Sequence, residues 1–360
     1  MKVGIVGLPN AGKSSLFNAL TGAGAQVAGY PFTTVEPNVA IVPVPDKRLE
    51  QVAATVGASP IVPQTIEFRD IAGLVRGAHR GEGLGNRFLG QIRETDALVH
   101  LLRAHEDPRV PHPGGRVDPI ADAEALEAEL LVADLEQAER RLERAAREAR
   151  SGARERVAEE AWLRRVVETL GAGTPARSAP PPEEAPDALR SLQPLTAKPV
   201  LYVANLPEGD PLEPPAEIAE HARTLGARAT AVSARLEAEL AELEPDEADA
   251  MRAELGVGDS GLQRVVGEAF ALLDLVTFFT AHEGAEATAR AVPRGTPARR
   301  AAGIVHTDME RGFVAAEVVP WDALVEAGGY AAARERALLR TEGRDYAVQD
   351  GDVITFRFSR

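Results

Sequence analysis

Cysteine is absent from the 360 residues of this chain. Its absence excludes disulfide bonds, thiolate metal sites and a cysteine nucleophile, and it is in keeping with a reducing compartment. The longest apolar stretch, residues 269–279, is too short to span a bilayer and is interrupted by Asp274. Residues 1–6 also lack the long apolar run of a signal peptide. These absences predict a soluble, cytoplasmic protein with no membrane partner.

Positive charge is in short supply, and lysine most of all. Acidic residues outnumber basic ones by 55 to 40, which gives a formal net charge of −15. Because phosphate binding needs clustered cations, this balance argues against a protein that coats DNA or RNA by bulk charge. Contact with RNA would have to use local arginine clusters. Only four of the basic residues are lysine, namely Lys2, Lys13, Lys47 and Lys198.

Short apolar runs alternate with helical patterns over most of the chain. This alternation is typical of an α/β fold with a doubly wound parallel sheet. The length is sufficient for two or three domains. The predicted strands are residues 2–6, 39–42, 65–69, 97–102, 199–204 and 228–232.

A different pattern interrupts the sheet. Residues 122–170 are rich in Ala, Glu, Arg and Leu at helical spacing, and Ser151 and Gly152 break the run. We predict an antiparallel helical hairpin inserted into the sheet domain; two crossover helices lying on the sheet would give a similar pattern. The expected domains are a sheet domain over residues 1–120 and 196–275, the hairpin over 121–195 and a compact α+β domain over 276–360.

A phosphate-binding motif stands between the first predicted strand and helix. Residues 7–14, GLPNAGKS, match G-x-x-x-x-G-K-S/T in the strand, loop and helix context that the motif requires. Its glycines let backbone N–H groups surround phosphate oxygens. Lys13 would reach the β- and γ-phosphates, and the Ser14 hydroxyl would bind Mg²⁺. The predicted phosphate-binding residues are Asn10, Ala11, Gly12, Lys13, Ser14 and Ser15.

Two further segments complete a predicted magnesium site. Asp70 follows the strand at 65–69 and would hold Mg²⁺, and the Gly73 N–H would meet the γ-phosphate. Thr34, favoured over Thr33, would add a hydroxyl ligand when the γ-phosphate is present. The metal ligands expected are Ser14, Thr34 and Asp70, and the glycine-rich residues after Gly73 are interpreted as a mobile switch.

These motifs together resemble the Obg-related P-loop NTPases, and among them most closely the YchF or Obg-like ATPase family. The resemblance extends over essentially the whole chain. It implies that residues 276–360 form a TGS domain, a ubiquitin-like β-grasp fold, and that the ribosome, its large subunit and its RNA are partners. The segments that carry it are YPFTT at 30–34, EPN at 36–38, DIAGLV at 70–75, GEGLGN at 81–86, AGIVHTD at 302–308 and DGDV at 350–353.

Nucleotide specificity depends on residues 205–208, NLPE, where a GTPase of this architecture has N-K-x-D. The aspartate of N-K-x-D accepts hydrogen bonds from guanine donors that adenine lacks, so the changed pattern weakens guanine recognition. The resembling family has N-x-x-E here and is associated with ATP. We predict ATP over GTP, with an Obg-type GTPase as the alternative. The expected base-site residues are Asn205, Leu206, Ser233 and Ala234, with Glu208 at the specificity position.

The group that positions the attacking water is less evident. Ras-like enzymes have a glutamine where this chain has Leu74, so hydrolysis must be slow or must use another group. The resemblance implies that a histidine of the 107–115 loop, His112, takes this role; a solvent-exposed histidine without function is the alternative. Asn10 either helps to hold K⁺ or serves as a turn residue with left-handed backbone.

The sequence thus predicts a slow, Mg²⁺-dependent ATPase that acts as a nucleotide switch in translation or stress regulation. A second hypothesis is a nucleotide-gated RNA- or ribosome-binding module in which hydrolysis is incidental. The arginines of the hairpin would form either a solvated, salt-bridged surface or an RNA-binding face. His306, Asp308 and Glu310 are interpreted as a polar loop rather than a metal site.

Overall fold

A computed structural model describes residues 1–26, 38–71, 84–255 and 260–359 of the chain. The chain divides into two compact units. The first comprises Met1–Val42 and Glu67–Leu272, and the second comprises Pro43–Ile66 and Leu273–Arg360. No helix in the described ranges is both long enough and apolar enough to cross a membrane.

Strands and helices of the described ranges are numbered in chain order. The strands are β1 Lys2–Val6, β2 Val39–Pro43, β3 Ile61–Val62, β4 Thr65–Asp70, β5 Ala97–Arg103, β6 Val200–Asn205, β7 Arg228–Val232, β8 Leu275–Thr280, β9 Ala287–Pro293, β10 Phe313–Pro320, β11 Arg340–Glu342 and β12 Asp352–Phe358. The helices are α1 Lys13–Gln26, α2 Lys47–Val56, α3 Leu84–Arg93, α4 Pro119–Glu148, α5 Arg154–Gly171, α6 Ala188–Leu192, α7 Ala216–Thr224, α8 Ala234–Leu240, α9 Pro245–Glu254, α10 Gly261–Ala271, α11 Ala298–Val305, α12 Thr307–Arg311, α13 Trp321–Ala327 and α14 Tyr330–Glu335.

The first unit is built on a six-stranded sheet in the order β2-β4-β1-β5-β6-β7. The pairs β1–β4, β1–β5, β5–β6 and β6–β7 are parallel, which confirms the α/β fold class. Every residue of β5 is buried, because a central parallel strand is covered on both faces. The carboxyl ends of β1, β4, β5 and β6 therefore meet at one edge of the sheet, where ligands bind in folds of this kind.

Helices α4 and α5 form the hairpin, but only part of it stands clear of the sheet. Leu126 and Leu130, in the first half of α4, pack in one cluster with Val6 of β1. The second half of α4 packs with α5 around Trp162, which is 1% exposed. The chain turns between the two helices at Gly152, whose φ of 75° suits glycine. The crossover interpretation thus describes the first half of α4, which packs on the sheet, and the hairpin interpretation describes the second half, which packs with α5.

Asp134 joins the hairpin to the loop that returns to β6. Its carboxylate accepts hydrogen bonds from the backbone N–H groups of Leu195 and Thr196, at 2.8 and 2.7 Å, and from the Thr196 hydroxyl at 2.7 Å. Burial raises the pKa of Asp134, and these hydrogen bonds oppose the rise. Because a buried carboxylate needs such partners, Asp134 fixes where the insertion returns to the sheet.

The second unit has a mixed sheet in the order β11-β10-β12-β8-β9-β3. Strands β8 and β12 pair in parallel at its centre, while β8–β9 and β10–β12 are antiparallel pairs. Helices α2 and α13 pack in the same core as Phe279 of β8. This arrangement agrees with the α+β domain expected at the end of the chain and is consistent with a β-grasp fold.

The boundary expected from the sequence differs from the structure at residues 43–66, which were assigned to the sheet domain. In the structure this segment belongs to the second unit. Helix α2 buries Leu49 and Val52 in the core that contains Leu324, and β3 pairs with β9. These contacts join parts of the chain more than 200 residues apart, which no local pattern records.

Candidate functional site

The phosphate-binding motif forms a loop that leads from β1 into α1. Gly12 has a φ of 97°, and a Cβ atom on it would lie 2.3 Å from Nδ2 of Asn205. A Cβ on Gly7 would lie 2.5 Å from the Leu101 carbonyl oxygen. Asn10 has a φ of 66°, the left-handed conformation expected of a turn asparagine. The loop therefore needs glycine at two points where other backbone or side-chain atoms approach closely.

Lys13 begins α1 and is folded back over the loop. Its ammonium group donates to the carbonyl oxygens of Gly7 at 2.8 Å and Leu8 at 3.2 Å. Burial lowers the pKa of Lys13, and the nearby Asp70 carboxylate opposes this effect. The cation is thus held at the loop, where the sequence predicts phosphate.

Asp70 ends β4 at the same edge of the sheet. Its Oδ1 atom is buried and has no hydrogen-bond partner among the residues that the structure describes. Burial raises the pKa of Asp70, and the Lys13 cation opposes the rise. A buried carboxylate oxygen without a partner suits a hard cation, because Mg²⁺ prefers oxygen ligands. Ser14 lines the same cleft, whereas Thr34 and Gly73 lie outside the described residues.

An open cleft of about 1010 Å³ brings the predicted residues together. The phosphate loop and Asp70 form one side, residues 205–208 with Ser233 form another, and residues 105–110 form a third. Of the expected nucleotide-binding residues, Asn10, Gly12, Lys13, Ser14, Ser15, Asn205, Leu206, Glu208 and Ser233 line this cleft.

Asn205 lies where three segments meet, and its side chain forms hydrogen bonds with the backbone of the other two. Nδ2 donates to the Ala11 carbonyl at 2.9 Å, and Oδ1 accepts from the Ala234 N–H at 3.0 Å. The sequence placed Asn205, Ala11 and Ala234 in direct contact with nucleotide. In the structure the Asn205 carboxamide joins all three residues and holds the phosphate loop against the β7–α8 connection.

The open end of the cleft carries ion pairs. Glu208 lies 3.1 Å from Nε of Arg235, which also contacts Glu239 at 3.0 Å. Arg109 pairs with Asp107 at 3.1 Å. Exposed pairs of this kind contribute little stability. Both arginines interact with the Glu208 carboxylate, Arg235 by direct contact and Arg109 through its charge. The sequence predicts that Glu208 occupies the base-specificity position.

His112 is neither solvent-exposed nor on the cleft wall in this structure. Its side chain is 5% exposed, and Nε2 lies 2.8 Å from Oδ2 of Asp122. Its Nδ1 accepts a hydrogen bond from the Gly114 N–H at 3.0 Å, so Nε2 must carry the proton that Asp122 accepts. The alternative of an exposed histidine is wrong, and neither ring nitrogen is available to a water molecule in this arrangement.

Residues 105–110 line the cleft, although the sequence indicates only the 107–115 loop and names only His112 from it. His105 lines the cleft, and its Nδ1 lies 3.0 Å from the Asn205 carbonyl, to which it must donate. The far end of the loop is tied to the phosphate loop, because Nδ2 of Asn10 donates to the Pro111 carbonyl at 3.0 Å. The only sequence signal was the position of this segment directly after β5, at the functional edge of the sheet.

No group of three or more His, Cys, Asp or Glu side chains suitable for a metal ion occurs in the described ranges. Nδ1 of His306 accepts a hydrogen bond from the backbone N–H of Asp308 at 3.2 Å, which makes it a cap of α12.

Comparison with known proteins accounts for the two parts of the chain. Residues 2–139 match a family described as 50S ribosome-binding GTPase, and residues 275–359 match the YchF-GTPase C-terminal family, described as a protein of unknown function. The ribosome-binding ATPase YchF of Bacillus subtilis (strain 168) is 45% identical and the match covers 100% of this chain and 99% of that protein. The chain belongs to the YchF family.

Two other members support this assignment. The ribosome-binding ATPase YchF of Haemophilus influenzae is 43% identical, with 99% of both chains covered. The solved structure of the Schizosaccharomyces pombe YchF GTPase has a TM-score of 0.84 and 30% identity, covering 99% of this chain and 97% of that one. The resemblance to YchF in the sequence is therefore confirmed. The names of these relatives differ over the nucleotide, since the bacterial proteins are called ATPases and the yeast protein a GTPase.

Proposed function

We propose that this protein is a magnesium-dependent ATPase that hydrolyses ATP slowly to ADP and phosphate and acts as a nucleotide switch. The observation that carries the proposal is the single cleft shared by Lys13, the unpaired Asp70 oxygen and residues 205–208. Lys13 and the backbone N–H groups of the phosphate loop would bind the β- and γ-phosphates. The names of the bacterial YchF relatives support ATP hydrolysis.

Asp70 and Ser14 would hold Mg²⁺, with Thr34 as the third expected ligand. The buried, unpaired Oδ1 of Asp70 is the observation that fits a cation there. When bound, the metal would neutralise charge on the phosphate oxygens. Lys13 would also bind phosphate oxygens, and the Gly73 N–H would contact the γ-phosphate.

ATP is preferred over GTP because the base end of the cleft lacks the N-K-x-D groups. Leu206 offers an apolar face in place of lysine, and it is largely buried in the cleft wall. The Glu208 carboxylate is one carbon longer than the aspartate that reads guanine, and Arg235 holds it at 3.1 Å. Adenine presents its exocyclic amine, which can donate a hydrogen bond to a carboxylate.

A competition experiment tests this preference. A fluorescent ATP analogue bound to the protein should be displaced by ATP at a lower concentration than by GTP. Displacement by GTP at an equal or lower concentration would support the Obg-type GTPase that the name of the yeast relative suggests. A Lys13→Ala protein, which lacks the phosphate-binding cation, should bind neither nucleotide.

Water positioning is assigned to His112, on the condition that it leaves Asp122. The ring is held by Asp122 and Gly114 in this structure, so catalysis requires the part of the loop that carries His112 to move. This requirement and the leucine at position 74 both favour slow turnover. Asn10 would contribute to a K⁺ site near the phosphates; identical rates in sodium and potassium buffers would contradict this.

The ribosome is the proposed partner, because the bacterial relatives are named as ribosome-binding proteins. Because the chain is acidic, binding to ribosomal RNA would rely on local arginines, and its affinity should fall as salt rises. Co-sedimentation with ribosomal subunits without nucleotide, with ADP and with a non-hydrolysable ATP analogue, over a salt series, tests both the partner and the switch.

The nucleotide-gated binding module is retained as a second function because Leu74 replaces the usual water-positioning glutamine. It differs from the switch in what hydrolysis contributes. If ribosome binding responds normally in a protein that binds ATP but cannot hydrolyse it, and fails only in Lys13→Ala, the module is supported. If the hydrolysis-deficient protein binds the ribosome but cannot be released from it, the ATPase switch is supported.

A further inference from the structure

A buried arginine holds the third wall of the cleft, residues 105–110. Arg103 ends β5 and is 2% exposed. Its Nε donates to the His105 carbonyl at 2.9 Å, Nη1 to the Val110 carbonyl at 2.8 Å and Nη2 to the Asp107 carbonyl at 3.4 Å. One side chain therefore meets three carbonyl groups of a single loop.

The guanidinium group is suited to this task by its shape. It presents five N–H donors in one rigid plane, so it can fix the mutual spacing of several acceptors. A lysine has the same charge but places its three donors on one atom, and it cannot reach the carbonyls of His105 and Val110 in the same way. The contacts of Arg103 thus depend on arginine and not only on positive charge.

The loop that Arg103 holds joins the two ends of the nucleotide cleft. At one end, the Ala104 N–H and the His105 Nδ1 both donate to the Asn205 carbonyl, at 3.1 and 3.0 Å. At the other end, the Pro111 carbonyl accepts from Asn10 of the phosphate loop. Between these ends, residues 105–110 line the cleft beside the expected base site.

We propose that Arg103 is a positioning residue that preorganises the 105–110 wall for the base and ribose of the bound nucleotide. Arg103 itself reaches the cleft wall, but its three nitrogens all donate to loop carbonyls. It therefore acts through the loop and not on the phosphates, which the 7–14 loop binds. Preorganisation raises affinity because the loop need not be ordered when the ligand binds. The inference rests on the proposed nucleotide-binding function, and it identifies which part of the ligand depends on this wall.

The test compares two ligands in an Arg103→Lys protein. Dissociation constants are measured by calorimetry for ATP and for inorganic tripolyphosphate, both with Mg²⁺. Tripolyphosphate carries the phosphates but no base or ribose. The affinity for ATP should fall about tenfold, which corresponds to about 1.4 kcal/mol, whereas the affinity for tripolyphosphate should stay within about twofold of wild type.

Arg177→Lys is the matched control. Arg177 is also a half-buried arginine of the first unit. It donates to the backbone carbonyls of Leu225 at 3.1 Å and Thr196 at 3.2 Å. It does not line the nucleotide cleft. The Arg177→Lys protein should bind both ligands like wild type, even if its thermal stability falls as much as that of Arg103→Lys.

Two results would overturn the inference. The first is an ATP affinity within twofold of wild type in Arg103→Lys, and the second is an equal loss for both ligands. Should Arg103→Lys fail to fold, amide hydrogen exchange of the wild-type protein decides: ATP should protect the 104–110 amides and tripolyphosphate should not, and equal protection refutes the proposal. If wild type binds neither ligand, the proposed function fails instead.

Discussion

At the scale of single residues, the site depends on contacts that are too close to admit a larger side chain. Asn205 joins the Ala11 carbonyl to the Ala234 N–H, and it can do so only because Gly12 has no side chain. Two features therefore require glycine at position 12, namely its positive φ and the Asn205 amide beside it.

Replacing Gly12 by alanine should abolish nucleotide binding at concentrations that saturate wild type, with affinity at least about 100-fold weaker. The new Cβ would lie 2.3 Å from Asn205 Nδ2, which displaces the loop that holds the phosphates. Titration with a fluorescent ATP analogue measures the change. Gly267→Ala is the control, since nothing lies within 4 Å of a Cβ at this helical position; normal binding by Gly12→Ala would show that the loop tolerates the methyl group.

His112→Ala should lower the turnover number for ATP at least about tenfold, a loss within the range for a proton-transfer or water-positioning group. The dissociation constant for ATP should not change, because His112 does not line the cleft in this structure. Steady-state hydrolysis and equilibrium binding, measured on the same preparation, separate the two effects.

The control for His112 is His221→Gln. His221 is another carboxylate-bonded histidine of the first unit, with Nε2 at 2.8 Å from Glu127. Its loss should leave turnover unaltered. An unchanged rate in His112→Ala would remove this residue from the mechanism and leave the group that orients water unassigned.

At the scale of the element, the central strand β5 carries a buried histidine. His100 is buried among the strands, and its Nε2 has no hydrogen-bond partner within the described ranges. Burial lowers the pKa of His100 to about 3, with smaller contributions from His221 and Lys13. In the unfolded chain a histidine binds a proton near pH 6.5, so below that pH protonation favours the unfolded state.

Stability should therefore decrease as the pH falls from 6.5 towards 3, with His100 contributing at most about 1.4 kcal/mol per pH unit. His100→Phe, which cannot titrate, should lose less stability than wild type between pH 6.5 and 5.5. Urea unfolding at the two pH values measures the difference. The exposed His306→Gln serves as the control, and equal acid sensitivity in His100→Phe and wild type would contradict the assignment.

Strand positions could be predicted because each depends on local sequence. The predicted strands at residues 2–6 and 228–232 have the bounds found in the structure, and the others shift by about a residue. The path of α4 could not be predicted in this way. Its helical pattern is continuous, and only packing against Val6 or Trp162 distinguishes the half on the sheet from the half in the hairpin.

At the scale of the whole molecule, the second unit is assembled from two distant segments. Residues 43–66 and 273–360 share one core, in which Leu49 and Val52 of α2 pack with Phe279. Arg48 reinforces the connection through an ion pair with Asp350 at 2.6 Å. Its hydrogen bond to Asp46 and, to a smaller extent, that to Asp350 hold the pKa of Arg48 above its ordinary value.

A fragment of residues 273–360 alone should consequently be unstable, whereas the same fragment joined to residues 43–66 by a flexible linker should fold. The lone fragment loses the burial of Leu49, Val52, Ala53 and Val56, which amounts to roughly 4 kcal/mol or more. Circular dichroism during thermal unfolding measures the difference. An equally cooperative transition at the same temperature in both fragments would refute the shared core.

The sequence by itself determined the chemistry of the phosphate loop and the edge of the sheet on which it lies. A contiguous motif fixes its own backbone, and parallel strands must end together. Only the tertiary structure decided what Asn205 bonds to, that His112 is held by Asp122 and that Arg103 supports a wall of the cleft. These contacts join residues remote in the chain or depend on burial, so they exist only once packing has chosen the neighbours of each polar group.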